Sequence, residues 1–370
     1  MDNIWIEINL NNLAHNLKKI KATLNPGVKI MGVVKQNAYG HGIIAISKDL
    51  EKEKVDFLGV NNTEESLNLL ESGIKKPILI LSNTVSNKNL LKLVKNKVNF
   101  TIMDKQLLKN LDKTARKANL KALVHIKIDT GMGRLGLNHK QALAFIKEVS
   151  SLKNIELKGL YSHFSSAEDN RAYTNYQIRN FRLLLKSLKE NRIYLRLIHI
   201  CNSAGIVNFK AAHFDMVRSG ILLYGLKPHP NLRIDVKPVL SLKTKILHMK
   251  VLPKNYFVSY GNTFKTKKET LVGILACGYA YGYPRILSNK TSVIVKGKKC
   301  KILGRICMDH MVVDLNPVAS CVNTKDEVIV IGEDRQNKIT AQELADRANT
   351  IPYEIVTGLA STIKRIYLKD

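Results

Sequence analysis

The chain has 370 residues, with 59 Lys and Arg against 30 Asp and Glu and a formal net charge of +29. With 45% apolar and 24% charged residues it has the composition of a folded globular protein, not of a disordered or fibrous one. No run approaches the ~18 uninterrupted apolar residues of a membrane helix, and the start MDNIWIEINLNNLAHN lacks the apolar stretch of a secretory signal. The five cysteines, Cys201, Cys277, Cys300, Cys307 and Cys321, are too few and too irregularly spaced for a disulfide framework or a zinc site. Dispersed thiols in odd number suit a reducing cytoplasm.

The charge splits evenly, +18 over the first 230 residues and +11 over the remaining 140. No block reaches the five or six like charges of a basic tail. Lys outnumbers Arg 45 to 14, whereas Arg is the preferred reader of bases and phosphates. A solvated basic surface is therefore favoured over a nucleic-acid partner, which remains the alternative outside enzymes.

Along the first part, short β-branched runs recur: KIMGVV (29–34), FLGV (57–60), PILIL (77–81), VNFTI (98–102), LVHIKI (123–128), LKGLYSH (157–163), LRLIHIC (195–201) and FDMVRSG (214–220). Helical periodicity fills the gaps, at 11–24, 103–118 and 174–190 among others. Eight strands alternating with helices predict an α/β fold, a (β/α)8 barrel over 1–234 whose first ~10 residues are expected to pack with the C-terminal domain, with an open doubly wound sheet as competitor. The absence of G-x-G-x-x-G after an early strand weakens a dinucleotide reading. From about 235 to 370, alternating stretches (239–252, 271–277, 291–304, 310–315, 327–332) separated by Gly, Asn and Pro predict a β-rich second domain. The helix TAQELADRA (340–348) opens with a Thr340/Glu343 capping box.

In a barrel, chemistry sits on the loops that follow the strands. Those positions hold Lys35, then Asp129 and Arg134 in KIDTGMGRLG, His163, His199 with Asn202 and Ser203, and Arg218 with Gly220. Each has a bland reading: a snorkelling lysine, a satisfied histidine, a tight GMG turn, a helix cap at NSAG. Convergence of all of them on one face is what argues for function. No carboxylate-rich cluster points to a metal. A sheltered lysine can form a Schiff base with an aldehyde, and barrels place phosphate near strands seven and eight. On the residues alone, pyridoxal 5′-phosphate chemistry and a Schiff-base aldolase rank equally.

These segments resemble the alanine racemase family of fold-type III pyridoxal-phosphate enzymes. VVKQNAYGHG is similar to the family's cofactor-lysine signature, which implies Lys35 as the cofactor lysine and Tyr39 as a phosphate contact. KIDTGMGRLG implies Arg134 as partner of the cofactor's phenolate oxygen, with Lys127 where many members carry a carbamylated lysine. His163 and His199 match cofactor-side histidines, and Arg218 the arginine facing the pyridine nitrogen. NSAG (Asn202, Ser203), MVRSGI (Gly220, Ile221) and Tyr353 of IPYEI resemble phosphate-binding segments. CGYAYGYPR implies Tyr279 as the second catalytic base; GRICMDH places Met308 and Asp309, and VSYGNTF places Tyr260, on the substrate side. The resemblance runs in order from residue 4 to about 367. The chain departs from the family at Tyr281 (usually an acid), Asn262 (Arg), Ser219 (Pro) and His310 (Gln), which bears on substrate choice.

The resemblance implies a two-base racemisation of alanine that supplies D-alanine for peptidoglycan, with Lys35 and Tyr279 on opposite faces of Cα. It also implies a cytoplasmic homodimer in which Tyr279 serves the partner's barrel. Serine or broad-spectrum racemisation, or β-elimination from cystathionine, would use the same barrel apparatus and are the alternatives.

Overall fold

The computed structural model describes residues 3–334 and 337–369. Its strands in chain order are β1 (Ile4–Asn9), β2 (Lys29–Val33), β3 (Phe57–Val60), β4 (Ile78–Ile80), β5 (Asn99–Ile102), β6 (Ala122–Asp129), β7 (Leu137–Asn138), β8 (Ile155–Tyr161), β9 (Leu197–His199) and β10 (Met216–Ser219). They are followed by β11 (Leu240–Leu252), β12 (Thr270–Leu275), β13 (Ser292–Val295), β14 (Lys298–Lys301), β15 (Met311–Asp314), β16 (Glu327–Asp334), β17 (Asn337–Ile339) and β18 (Lys364–Leu368).

Eight of the strands form one parallel sheet in the order β10-β2-β3-β4-β5-β6-β8-β9. Backbone bonds from Asp215 N to Ile198 O and from Arg218 N to Cys201 O, both 3.0 Å, draw β10 against β9 and nearly close the barrel. The strands are buried on both faces, so they read as continuous β-branched runs without alternation. Five of the intervening helices start on side-chain caps: Asn9, Asn62, Asp104, Asn170 and Asn202 each accept an N–H from three residues on.

The second sheet runs β14-β13-β16-β11-β1-β18, with β12 and β15 continuing from β11. Here the strands alternate buried and exposed positions, as in Leu240–Ile246 of β11, because one face is solvated. β1 belongs to this sheet: it pairs antiparallel with β11 and parallel with β18, so the first strand of the chain lies inside the C-terminal sheet. The helix Ala341–Ala348 starts on Thr340, whose hydroxyl accepts the Glu343 N–H at 3.0 Å. All five cysteines are free thiols. Among the described residues no helix is long and apolar enough to cross a membrane.

Candidate active site

The strands' C-terminal ends open onto a cavity of about 470 Å³. Lys35, Tyr39, Lys127, Arg134, His163, Asn202, Ser203, Arg218, Gly220, Ile221 and Tyr353 all line it. Among the described residues four cations face this space and no Asp or Glu does.

Lys35 is presented by an unusual backbone. Gln36, Asn37, Ala38 and Tyr39 all have φ between 52° and 54°, one turn of left-handed helix directly after β2. Cβ crowding makes that hand costly, at about 1–2 kcal/mol per residue. The surroundings hold it in place: Glu65 accepts the Gln36 and Asn61 N–H groups at 2.6 Å each, and Asn37 Oδ1 accepts from Ile43 N at 2.9 Å. From the other domain, Arg365 donates to Gly40 O at 3.0 Å. Burial, and then the Arg134 charge, lower the Lys35 pKa from its ordinary value. Its amine is thereby more available as a nucleophile and base.

Arg134 sits at the end of a loop tied down by one carboxylate. Asp129 accepts the backbone N–H groups of Gly131, Met132 and Gly133 at 2.7–2.9 Å. Tyr173 donates to Gly131 O at 2.7 Å, and Gln177 bonds both Thr130 and His163 O. Lys127, buried on β6, stands 5.5 Å from the Tyr161 ring centre. Burial, then Arg218, Arg134 and Lys35, push its pKa down to about 7.

Arg218 is the most enclosed cation. It donates to Ser162 O (2.6 Å), Ile200 O (3.0 Å), His199 Nδ1 (2.7 Å) and His163 Nδ1 (3.2 Å). A guanidinium only donates, so both imidazoles accept through Nδ1 and carry their proton on Nε2. His199 Nε2 then donates to His125 Nδ1 at 3.2 Å. Burial, followed by the Arg218 charge, holds His163 and His199 well below the usual histidine range, and His125 down to about 3 with burial again the main cause. These rings are neutral at pH 7. His199 does not line the cavity: it is fully buried, stacked on Tyr161 with centres 4.8 Å apart, and acts through Arg218.

At the opposite wall, Tyr39 and Tyr353 bring ring centres to 6.1 Å, and Ser203 Oγ accepts the Gly220 N–H at 3.2 Å. Asn202 spends its Oδ1 capping the helix Ser203–Asn208. A Cβ on Gly220 would stand 2.5 Å from the Tyr39 hydroxyl, so only glycine leaves that approach open. Burial pushes Tyr39 up to about 12 and raises Tyr353 as well, keeping both phenols protonated as donors.

Tyr279, Met308, Asp309 and Tyr260 are not brought to this cavity within the chain. They lie together on the C-terminal domain, where Tyr279 N donates to Cys307 O (3.1 Å), Ala280 N to Met308 O (2.9 Å) and Ser259 Oγ to Arg305 O (2.5 Å). Their side chains are exposed, Tyr260 at 72%, Met308 at 54% and Tyr279 at 42%, beside Tyr256 and Phe257. Among the departures, Asn262 sits at φ 52°, which asparagine tolerates. Ser219 is buried with its Oγ unpartnered. Sequence reading missed Tyr161, the aromatic floor between Lys127, Arg218 and His199, although it ends β8 and so occupies a position where function is sought. It also missed His125, for which no sequence signal stands out, and Arg365.

The chain matches two family models, alanine racemase N-terminal domain over residues 8–228 and alanine racemase C-terminal domain over 239–367. It is 42% identical to the alanine racemase of Halothermothrix orenii, across 98% of this chain and 96% of that one. It is 39% identical to the alanine racemase of Methanococcus maripaludis, across 99% and 98%. Among solved structures, alanine racemase of Clostridium difficile 630 superposes with TM-score 0.94 at 35% identity, covering 100% of this chain and 96% of that one. The Bacillus anthracis alanine racemase with bound L-Ala-P gives 0.92 at 33% identity, with the same coverage.

Proposed function

The chain belongs to the alanine racemase family, and from that premise we propose that it interconverts L- and D-alanine with pyridoxal 5′-phosphate, using Lys35 and Tyr279 as the two bases. The observation that carries this reading is the cavity itself: an amine with a lowered pKa, surrounded by cations and protonated phenols, with no carboxylate in the lining. That donor set suits an anionic cofactor. Tyr39, Tyr353, Ser203, and the backbone at Gly220 and Ile221 would hold its phosphate; Lys35 would hold its aldehyde; Arg134 and Arg218 would flank the ring. When bound, the cofactor supplies an electron-withdrawing ring conjugated to the substrate amine, which acidifies the Cα–H.

The chain's own residues then account for racemisation over other outcomes. Lys35, freed of its covalent role, takes or returns the Cα proton on one face. A phenol supplied by Tyr279 does the same on the other, so the substrate need not turn over. His163, neutral and bonded to Arg218, is the group in the cavity suited to orient that phenol. Arg218 has committed its donors to two imidazoles and two carbonyls, and a guanidinium yields no proton readily. No acid in the lining would keep a proton on a pyridine nitrogen. The electron sink is therefore weak, which favours prompt return of a proton to Cα over release of a keto acid.

Lys127, with a pKa near 7, is in good part a neutral amine and so a nucleophile toward CO2. Its carbamate, formed with loss of a proton, would place one anion among Arg134, Arg218 and Lys35. Tyr279, Met308 and Tyr260 do not line this chain's cavity, which supports an active homodimer that exchanges them between subunits. The D-alanine product serves peptidoglycan synthesis.

The reading is tested by following racemisation and keto-acid release over Ala, Ser, Lys, Arg and cystathionine with the cofactor-loaded protein. Alanine is expected to turn over fastest with negligible keto acid. Preference for serine or a basic amino acid, or steady release of pyruvate from cystathionine, would replace alanine as the substrate.

A further inference from the structure

The barrel has a second cavity at its other end, about 630 Å³ against about 470 Å³ at the mouth. Its walls are the N-terminal ends of the strands: Lys29 opens β2, Phe57 opens β3, Ile78 opens β4, Asn99 opens β5 and Leu197 opens β9. In this fold that end serves stability and carries no chemistry. Here it is ringed by Lys29, Lys75, Lys76, Lys97, Lys158 and Arg196, with no Asp or Glu in the lining among the described residues. Only Lys158 is in an ion pair among the described residues, with Glu156 at 2.7 Å. Three carboxylates flank the cavity without lining it: Glu51 accepts the backbone N–H groups of Lys75 and Lys76, Asp56 that of Ile30 and Asp215 that of Ile198.

Five of these cations stand outside any ion pair among the described residues, and together they focus a positive field into the concavity. The inner wall is apolar, from buried Phe57, Ile74, Ile78 and Leu197. Low-dielectric walls strengthen that field on any anion that enters. One buried polar side chain interrupts the apolar wall: Asn99, 3% exposed, donates its Nδ2 to Ile78 O at 3.1 Å and leaves its Oδ1 without a protein partner. The cavity thus offers cations at its rim, flat apolar surface within, and one hydrogen-bond acceptor at its base. Its volume is that of a small-molecule site.

We propose that this cavity binds a nucleoside polyphosphate, its phosphates on the lysine rim, its base against Phe57 and Ile74, and an amino group of the base on Asn99 Oδ1. Neither an inorganic polyanion nor a bare nucleoside uses all three features. The site stands independently of the reaction at the mouth.

The test is calorimetric titration of the cofactor-loaded protein with ATP, inorganic tripolyphosphate and adenosine at moderate salt. ATP should bind once per chain, about tenfold or more tighter than tripolyphosphate, and adenosine alone should not register. Lys75→Glu with Lys97→Glu, both at exposed positions, should weaken ATP at least about tenfold and leave alanine racemisation unchanged. Lys29→Glu should act in the same direction. Reversal of Lys117 and Lys301, exposed elsewhere, should leave ATP binding unchanged. The proposal is overturned if ATP does not bind, if tripolyphosphate binds as tightly, if both pairs of reversals weaken ATP equally, or if ATP competes with pyridoxal phosphate at the mouth.

Discussion

The barrel mouth and the tyrosine-bearing face of the C-terminal domain are built on opposite principles. At the mouth, Lys127, Arg218, His199 and their neighbours are buried, cross-bonded and shifted in pKa by burial and mutual repulsion. On the other face, Tyr279, Met308 and Tyr260 project into solvent from loops laced by backbone bonds and the Ser259 hydroxyl. The mouth is a finished electrostatic environment that lacks a second base. The face carries the proposed second base without such an environment. The exposed side chains of Tyr260, Tyr279 and Met308 make the kind of patch that marks an interface, and the proposed dimer would join the two regions across subunits.

The contrast predicts a graded series of effects. Lys35→Ala should lower racemisation by about 10³-fold or more and abolish the visible absorbance gained with pyridoxal phosphate. Tyr279→Phe should lower it by about 10²–10⁴-fold yet keep that absorbance, because the mouth is intact. Equal loss of absorbance in both variants would break the division of roles. Arg218→Glu places an acid where none lines the cavity, and keto-acid release per racemisation event should rise; an unchanged ratio would dismiss the weak-sink argument.

A smaller effect is expected at Asp129, which touches no reacting atom but gathers three N–H groups of the Arg134 loop. Asp129→Ala should lower kcat/KM by about 10- to 100-fold, equivalent to about 1.4–2.8 kcal/mol, while the absorbance persists. The smallest concerns stability. His41, His125 and His199 are fully buried, with pKa values lowered chiefly by burial, to about 4 for His41 and about 3 for His125. Below pH 6.5 the unfolded chain binds protons that the folded chain does not, so stability present above 6.5 is lost as pH falls toward those values. Each ring contributes about 1 kcal/mol of loss between pH 7 and 5.5. His125→Gln should flatten the urea midpoint's pH dependence by that amount, and a parallel curve would exclude His125 from the effect.

Much of this was legible from the residues. The eight β-branched runs fall on the eight barrel strands because a sheet buried on both faces admits little else. Of the strand-end polar residues, Lys35, Arg134, His163, Asn202, Ser203 and Arg218 meet in one cavity because every barrel strand delivers its C-terminal end to the same side, whereas Asp129 and His199 do not line it. The left-handed turn at 36–39 was not legible, since Gln, Ala and Tyr have no preference for positive φ and only tertiary contacts from Glu65 and Arg365 hold them there. The layer beneath the site escaped for a similar reason: Tyr161 and His125 read as ordinary strand residues until their partners are known. β1 lies in the C-terminal sheet, the domain with which the first ~10 residues are expected to pack, but its register with β11 and β18 is not encoded by local pattern.

The central claim is that one site takes its lysine and its tyrosine from different chains. Mixing Lys35→Ala protein with Tyr279→Phe protein, then allowing subunits to exchange, tests it directly. Heterodimers would hold one barrel with both bases intact, so an equimolar mixture should recover about a quarter of the unmutated activity. Recovery to that level bears out the shared site; a mixture as inactive as its two components contradicts it.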